Sequence, residues 1–205
     1  MVTDEHPFEE ISGTLKKVGA ALRDNEIPYL LGGSLAFWAH GGPERRRDLD
    51  FMVKPEDADR ALEALEAAGM RSEKPPEGWL YKAWDGDVLV DLIFRPKGME
   101  IDDAVIARGE ELEVLGMPVR IMALEDVLCT KLLALHEHAV DYSSLLEMAR
   151  SLREKVDWPD VRARTDRSPF ARAFFTMIEG IGIIGEGEPA HGGGRTEVRV
   201  VEPSR

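Results

Sequence analysis

The sequence predicts an α/β (α+β) protein: a mixed β-sheet core flanked by helices, then a C-terminal helical region. Three features carry that expectation. Short apolar runs alternate with helical patterns through about residue 69. A hairpin pattern and a smaller strand pair follow, up to residue 122. From Leu124 onward only helical periodicity remains. The boundaries expected are a core over 1–122, a helical region over 123–182 and a disordered tail over 183–205.

Taken in order, Phe8, Ile11, Leu15, Val18 and Leu22 recur at helical spacing and predict a helix over about 7–25. Pro28 to Leu31 reads as a short buried strand. Ser34 to His40 reads as a helix closed by Gly41-Gly42-Pro43. Residues 48–53 read as a second strand. Pro55 opens a helix with Glu56 and Asp57 in its first turn, and Gly69 ends it. Trp79–Trp84 and Asp87–Phe94 are expected to form a β-hairpin around Asp85-Gly86. A smaller strand pair is expected at 112–115 and 119–122, around Gly116-Met117-Pro118. Helices are then predicted over about 124–138, 142–154, from Pro159, and from Pro169 to Glu179. The Gly-rich end, with Gly192-Gly193-Gly194 and His191, has the composition of a chain without a core.

Composition narrows the class. The chain has 205 residues, of which 43% are hydrophobic and 32% charged, as in ordinary globular proteins. No run of eighteen apolar residues occurs, so no membrane partner is expected. The N-terminal Met-Val-Thr-Asp-Glu-His lacks a basic and an apolar segment, which predicts no secretory signal and a cytoplasmic location. The single cysteine, Cys129, allows no intrachain disulfide partner and sits in an apolar helical pattern, as a packing residue would. The net charge of −13 opposes long-range attraction of nucleic acid or anionic membrane. Arg45-Arg46-Arg47 is the one dense basic run. It reads as a solvated loop or, because it precedes two aspartates, as the source of a phosphate contact through Arg47.

Those aspartates carry the chemistry. A strand ending in Leu31 runs into Gly32-Gly33-Ser34 and a helix, and thirteen residues separate Ser34 from Asp48-Leu49-Asp50. Side chains two apart on a strand point to one side, so Asp48 and Asp50 converge. Gly32 and Gly33 let backbone approach phosphate oxygens without a Cβ clash. Ser34 adds a hydroxyl where a helix begins and favours anions. Asp91 lies in the apolar run Val88 to Phe94, where a bare carboxylate needs a cation or strong donors. A salt bridge to a core Arg or Lys would answer that need; so would metal. Three carboxylates on neighbouring strands can hold two Mg²⁺ ions roughly 3.5–4 Å apart. The expected chemistry is in-line displacement at the α-phosphorus of an NTP, with Mg²⁺ or Mn²⁺ held by Asp48, Asp50 and Asp91 and pyrophosphate leaving. Asp91 helps deprotonate an acceptor hydroxyl.

Gly33-Ser34, Asp48-Leu49-Asp50 and the later Asp91 together resemble the polymerase β-like nucleotidyltransferase superfamily over residues 28–94. A second stretch, Leu124 to Leu135 with Asp141 ten residues after Lys131, is similar to a helical motif of abortive-infection type toxins and related bacterial nucleotidyltransferases. That similarity implies that Lys131 faces the triphosphate and that Asp141 supports it. The superfamily resemblance implies an acceptor that is a small hydroxylated molecule, as in its antibiotic-modifying members, or an RNA end or protein side chain, as in its toxin and AMP-transferring members, with an antitoxin partner if the chain belongs to a toxin–antitoxin pair. Lys131 reads alternatively as a lysine snorkelling from a core face. His136 and His138, two apart, are expected to face solvent or cap. Trp38, Trp79, Tyr81 and Trp84 read as packing, or as a base-stacking surface on the hairpin. The runner-up function is a non-catalytic nucleotide-binding or interaction protein of the same fold.

Overall fold

The computed structural model describes residues 8–43 and 48–185. Arg45, Arg46, Arg47, His191 and nearly all of the expected tail lie outside the described residues. Seven strands form one mixed sheet: β1 (Tyr29–Leu31), β2 (Leu49–Val53), β3 (Arg71–Glu73), β4 (Leu80–Asp85), β5 (Val88–Ile93), β6 (Glu110–Val114) and β7 (Met117–Ile121). Their order is β3-β4-β5-β2-β1-β7-β6. The β2–β5 and β1–β7 pairs are parallel and the rest antiparallel. Among the described residues eight α-helices accompany it: α1 (Phe8–Asp24), α2 (Gly33–Ala39), α3 (Ala58–Ala67), α4 (Asp103–Arg108), α5 (Leu124–Ala134), α6 (Ser143–Leu152), α7 (Trp158–Thr165) and α8 (Pro169–Gly180).

Periodicity explains the first layer. Ile11, Leu15, Val18 and Leu22 are buried along one stripe of α1, which packs on α3 and β5. Ala58, Ala61, Leu62 and Leu65 form the matching stripe of α3. Pro55 opens a 3-10 turn over Pro55–Asp57 before α3 proper begins. The hairpin is fastened to α1 by Asp85, whose Oδ1 accepts from Lys17 Nζ at 2.6 Å and whose Oδ2 accepts from Thr14 Oγ1 at 3.1 Å. Cys129 is buried as packing, and burial pushes its thiol up to about 12.

Several expectations need correction. The expected strand pair lies at 110–114 and 117–121, and β7 joins the main sheet beside β1, with Met122 N–H donating to Leu31 O at 2.9 Å. Its loop is Leu115-Gly116, both at positive φ, rather than Gly116 to Pro118. The hairpin loop is likewise Gly86-Asp87, since Asp85 pairs with Val88. The expected helix over 124–138 stops at Ala134. Leu135 turns to an extended conformation and buries its side chain, and His136 and Ala139 bridge back on each other. His136 and His138 are exposed, as their spacing suggested. Two elements have no counterpart in the sequence pattern. β3 is three polar residues at a sheet edge, too short for alternation to register. α4 is one short helix, yet Asp102 caps it by accepting from Val105 N–H at 2.8 Å.

One buried charge ties three helices to one another. Asp126 on α5 is fully buried and takes a two-point contact from Arg108 on α4, at 3.1 and 3.2 Å, and a single hydrogen bond from Arg164 on α7. Arg164 also reaches Asp160 at 3.0 Å. Losing the carboxylate leaves two guanidiniums aimed at an apolar void, although both are partly exposed and can rehydrate. Asp126→Ala is expected to cost about 3 kcal/mol, a fall in Tm of roughly 6–12 °C for a chain of this size. A calorimetric scan checks this; an unchanged Tm would make the clamp energetically idle.

Candidate active site

The site grows from three adjacent strands. Asp50 on β2 and Asp91 on β5 stand side by side in parallel register. Lys82 on β4 stands directly opposite Asp91 in antiparallel register. Registered partners present their side chains on one face, so Lys82, Asp91 and Asp50 form a row across the sheet. The burial pattern of β5 shows why: Val88, Val90 and Leu92 are buried while Leu89 and Asp91 open on the other face. That second face is covered only in part, where the apolar run suggested full cover on both. Asp48 lies one residue before β2 and is exposed.

The Gly turn closes the row on its other side. Gly32 N–H donates to Asp50 O at 2.7 Å, which pins the turn to β2. Gly33 has φ +59, and a Cβ there would fall 1.7 Å from Asp50 Oδ2. The backbone thus touches the carboxylate, an approach that only glycine permits. Gly32 caps α2, and Ser34, half-buried, is in its first turn.

Electrostatics follow from this crowding. Burial first, and then the Asp91 carboxylate, push Asp50 up to about 7; Asp48 adds to the rise, while Lys131 and Lys82 oppose it. Asp91 is raised by burial, against the pull of the Lys82 ammonium 2.9 Å from its Oδ1. So the buried carboxylate has the lysine partner that the sequence reading left open, and metal is not its only answer. Lys131 on α5, half-buried, lies close enough for its charge to act on Asp50. Asp141 is exposed beyond α5, with its Oδ1 accepting from Ser143 N–H at 2.8 Å at the start of α6. Arg47 lies outside the described residues. Of the aromatic residues, Trp84 takes Arg71 on its face at 3.8 Å and Tyr81 packs on Phe94; Trp79 is 40% exposed.

The donor set Asp48, Asp50 and Asp91 is all carboxylate oxygen, which fits Mg²⁺ or Mn²⁺. The raised Asp50 marks negative charge that a cation would relieve. Among the described residues, no three His, Cys, Asp or Glu side chains converge closely enough to form a ready metal cage.

A mixed sheet with a Gly-Gly-Ser turn packed on a carboxylate, two acids in register and helices after the last strand is the nucleotidyltransferase class of fold. Solved structures agree. ANT(2")-Ia in complex with adenylyl-2"-tobramycin is similar with a TM-score of 0.58 at 17% identity, over 80% of this chain and 97% of that one. JHP933 from Helicobacter pylori has a TM-score of 0.52 at 14% identity, over 84% and 80%. The lincosamide antibiotic adenylyltransferase LnuA, lincomycin-bound, has a TM-score of 0.50 at 11% identity, over 70% and 97%. No curated protein matches the chain in sequence. The family described as uncharacterised nucleotidyltransferase matches residues 9–180, and the chain belongs to it. It is an enzyme of the nucleotidyltransferase kind.

Proposed function

We propose that this enzyme moves a nucleoside monophosphate from an NTP to a hydroxyl of a small acceptor, with a divalent cation. The observation that carries this is the registered pair Asp50 and Asp91 with the Gly32-Gly33 turn packed against Asp50. Gly32, Gly33 and Ser34 admit the triphosphate oxygens, and Lys131, Arg47 and the α2 N-terminus offset their charge. Asp141 supports Lys131. Asp48 and Asp50, with Asp91 beside them, hold the cation. When bound, that cation supplies Lewis-acid stabilisation of charge on the triphosphate. Asp91 takes the acceptor hydroxyl's proton; the oxygen bonds to the α-phosphorus, the bond to the β-phosphate breaks, and pyrophosphate leaves.

Two things favour a small acceptor. Both ANT(2")-Ia, with its adenylylated tobramycin, and LnuA share the fold. The net charge of −13 favours neutral or cationic acceptors over a polyanion. An RNA or protein acceptor, and an antitoxin partner, follow only from the superfamily resemblance. The test incubates the enzyme with Mg²⁺, each NTP labelled at the α-phosphate, and separate pools of aminoglycosides, lincosamides, RNA and cell protein. Metal-dependent pyrophosphate release with label in a small-molecule pool is expected. Label in RNA or protein would move the acceptor class. Metal-dependent nucleotide binding without release in any pool would favour the non-catalytic reading.

A further inference from the structure

We propose that Lys82 occupies, with its own ammonium, the place of a second divalent cation at Asp91, so that this site takes one divalent cation where its three aspartates suggest two. The inference rests on the metal-dependent transfer above and refines its cation count. Its first support is position. Lys82 faces Asp91 across the β4–β5 ladder, a register fixed by the Gly86-Asp87 loop rather than by the flexibility of a surface lysine. Its Nζ is 2.9 Å from Asp91 Oδ1, with the two side chains only 30% and 15% exposed. The pair is thus shielded from the solvent that makes surface salt bridges weak.

The choice of partner is the second support. Glu73 on β3 faces Lys82 in register from the exposed edge, so an acid on the rim was available. The ammonium bonds Asp91, on the inner side, instead. A cation bridging Asp50 and Asp91 would meet this ammonium at close range in a partly dry site, a like-charge contact that disfavours the second ion. Lys82 then acts as a positioning residue. It holds Asp91 by Oδ1, and Oδ2 is the oxygen that meets the acceptor hydroxyl.

Mn²⁺ alone is the probe, counted by the paramagnetic resonance of the unbound ion during titration of the full chain at neutral pH. Wild type is expected to bind one Mn²⁺, Lys82→Met two, and Lys82→Arg one. Two ions on wild type would overturn the inference and leave the metal-dependent reading standing. One ion on a Lys82→Met protein with native circular dichroism would also overturn it. Should Lys82→Met fail to fold, the wild-type count decides alone. No bound Mn²⁺ on wild type would overturn both the inference and the metal-dependent reading beneath it.

Discussion

Asp50→Asn is expected to raise the melting temperature of the metal-free protein at about pH 8 while cutting nucleotidyl transfer on the order of 10³-fold. The two effects have one cause. Folding packs the Asp50 carboxylate against the Gly33 backbone and beside Asp91, with the Asp48 charge acting on it, and its pKa moves from the ordinary 3.8 to about 7. Below about pH 4 the group is protonated in both folded and unfolded chains and costs nothing. Between about pH 4 and 7 the unfolded chain loses the proton first, so stability falls as pH rises. Above about pH 7 the loss is constant, with an upper limit of about 4 kcal/mol. Asp50 is partly exposed and solvent relaxes such fields, so about half of that is expected, or roughly 4–8 °C in Tm. The Asn variant should therefore match wild type near pH 4 and outlast it near pH 8. Thermal melts in chelator across that range test the claim. A variant that melts well below wild type near pH 8 would make Asp50 a structural ion-pair partner.

The same crowding explains what the sequence could and could not tell. The Gly-Gly-Ser turn, the Asp-Leu-Asp strand and Asp91 were legible because each is local: strand, turn and alternation depend on neighbours within a few residues. The order of most elements was legible for the same reason. The register was not. Centring the hairpin on Asp85-Gly86 pairs Trp84 with Asp87 and puts Leu80 opposite Asp91. In the structure the positive φ falls on Gly86 as the first of two loop residues, the II′ pattern, and Asp85 pairs with Val88. Sliding the loop by one residue moves every cross-strand partner by two and brings Lys82 onto Asp91. Lys82 was therefore missed, although a lysine nine residues before a strand aspartate was in view. The Arg108–Asp126–Arg164 clamp was hidden for a different reason. Its members are 18 and 38 residues apart along the chain, and no local pattern announces such pairing. Asp126 in the first turn of α5 reads equally well as a dipole-complementing acid.

Gly33→Ala is expected to remove on the order of 10²-fold of activity and to lower stability, and a double-mutant cycle separates its two causes. An alanine at φ +59 carries about 1–2 kcal/mol of left-handed strain wherever it sits. The second cause is steric. The new Cβ would lie 1.7 Å from Asp50 Oδ2 and 2.6 Å from its Cγ, so the carboxylate must rotate or the turn must lift. Rotation has little room, since Asp91 stands in register on one side and the turn is bonded to Asp50 O on the other. The total expected loss is about 2–4 kcal/mol, or roughly 4–16 °C in Tm. Asp50→Ala removes the two nearest atoms, leaves the Asp50 Cβ at 3.0 Å and leaves the backbone angle unchanged. In that background Gly33→Ala should cost the left-handed part and one tight methyl contact, less than in wild type, so the two substitutions should couple by about 1 kcal/mol, as contacting residues do. Additive losses would mean that Gly33 serves the backbone angle alone. In that case the close approach between turn and carboxylate, on which the phosphate cradle depends, would not be what selects glycine at this position.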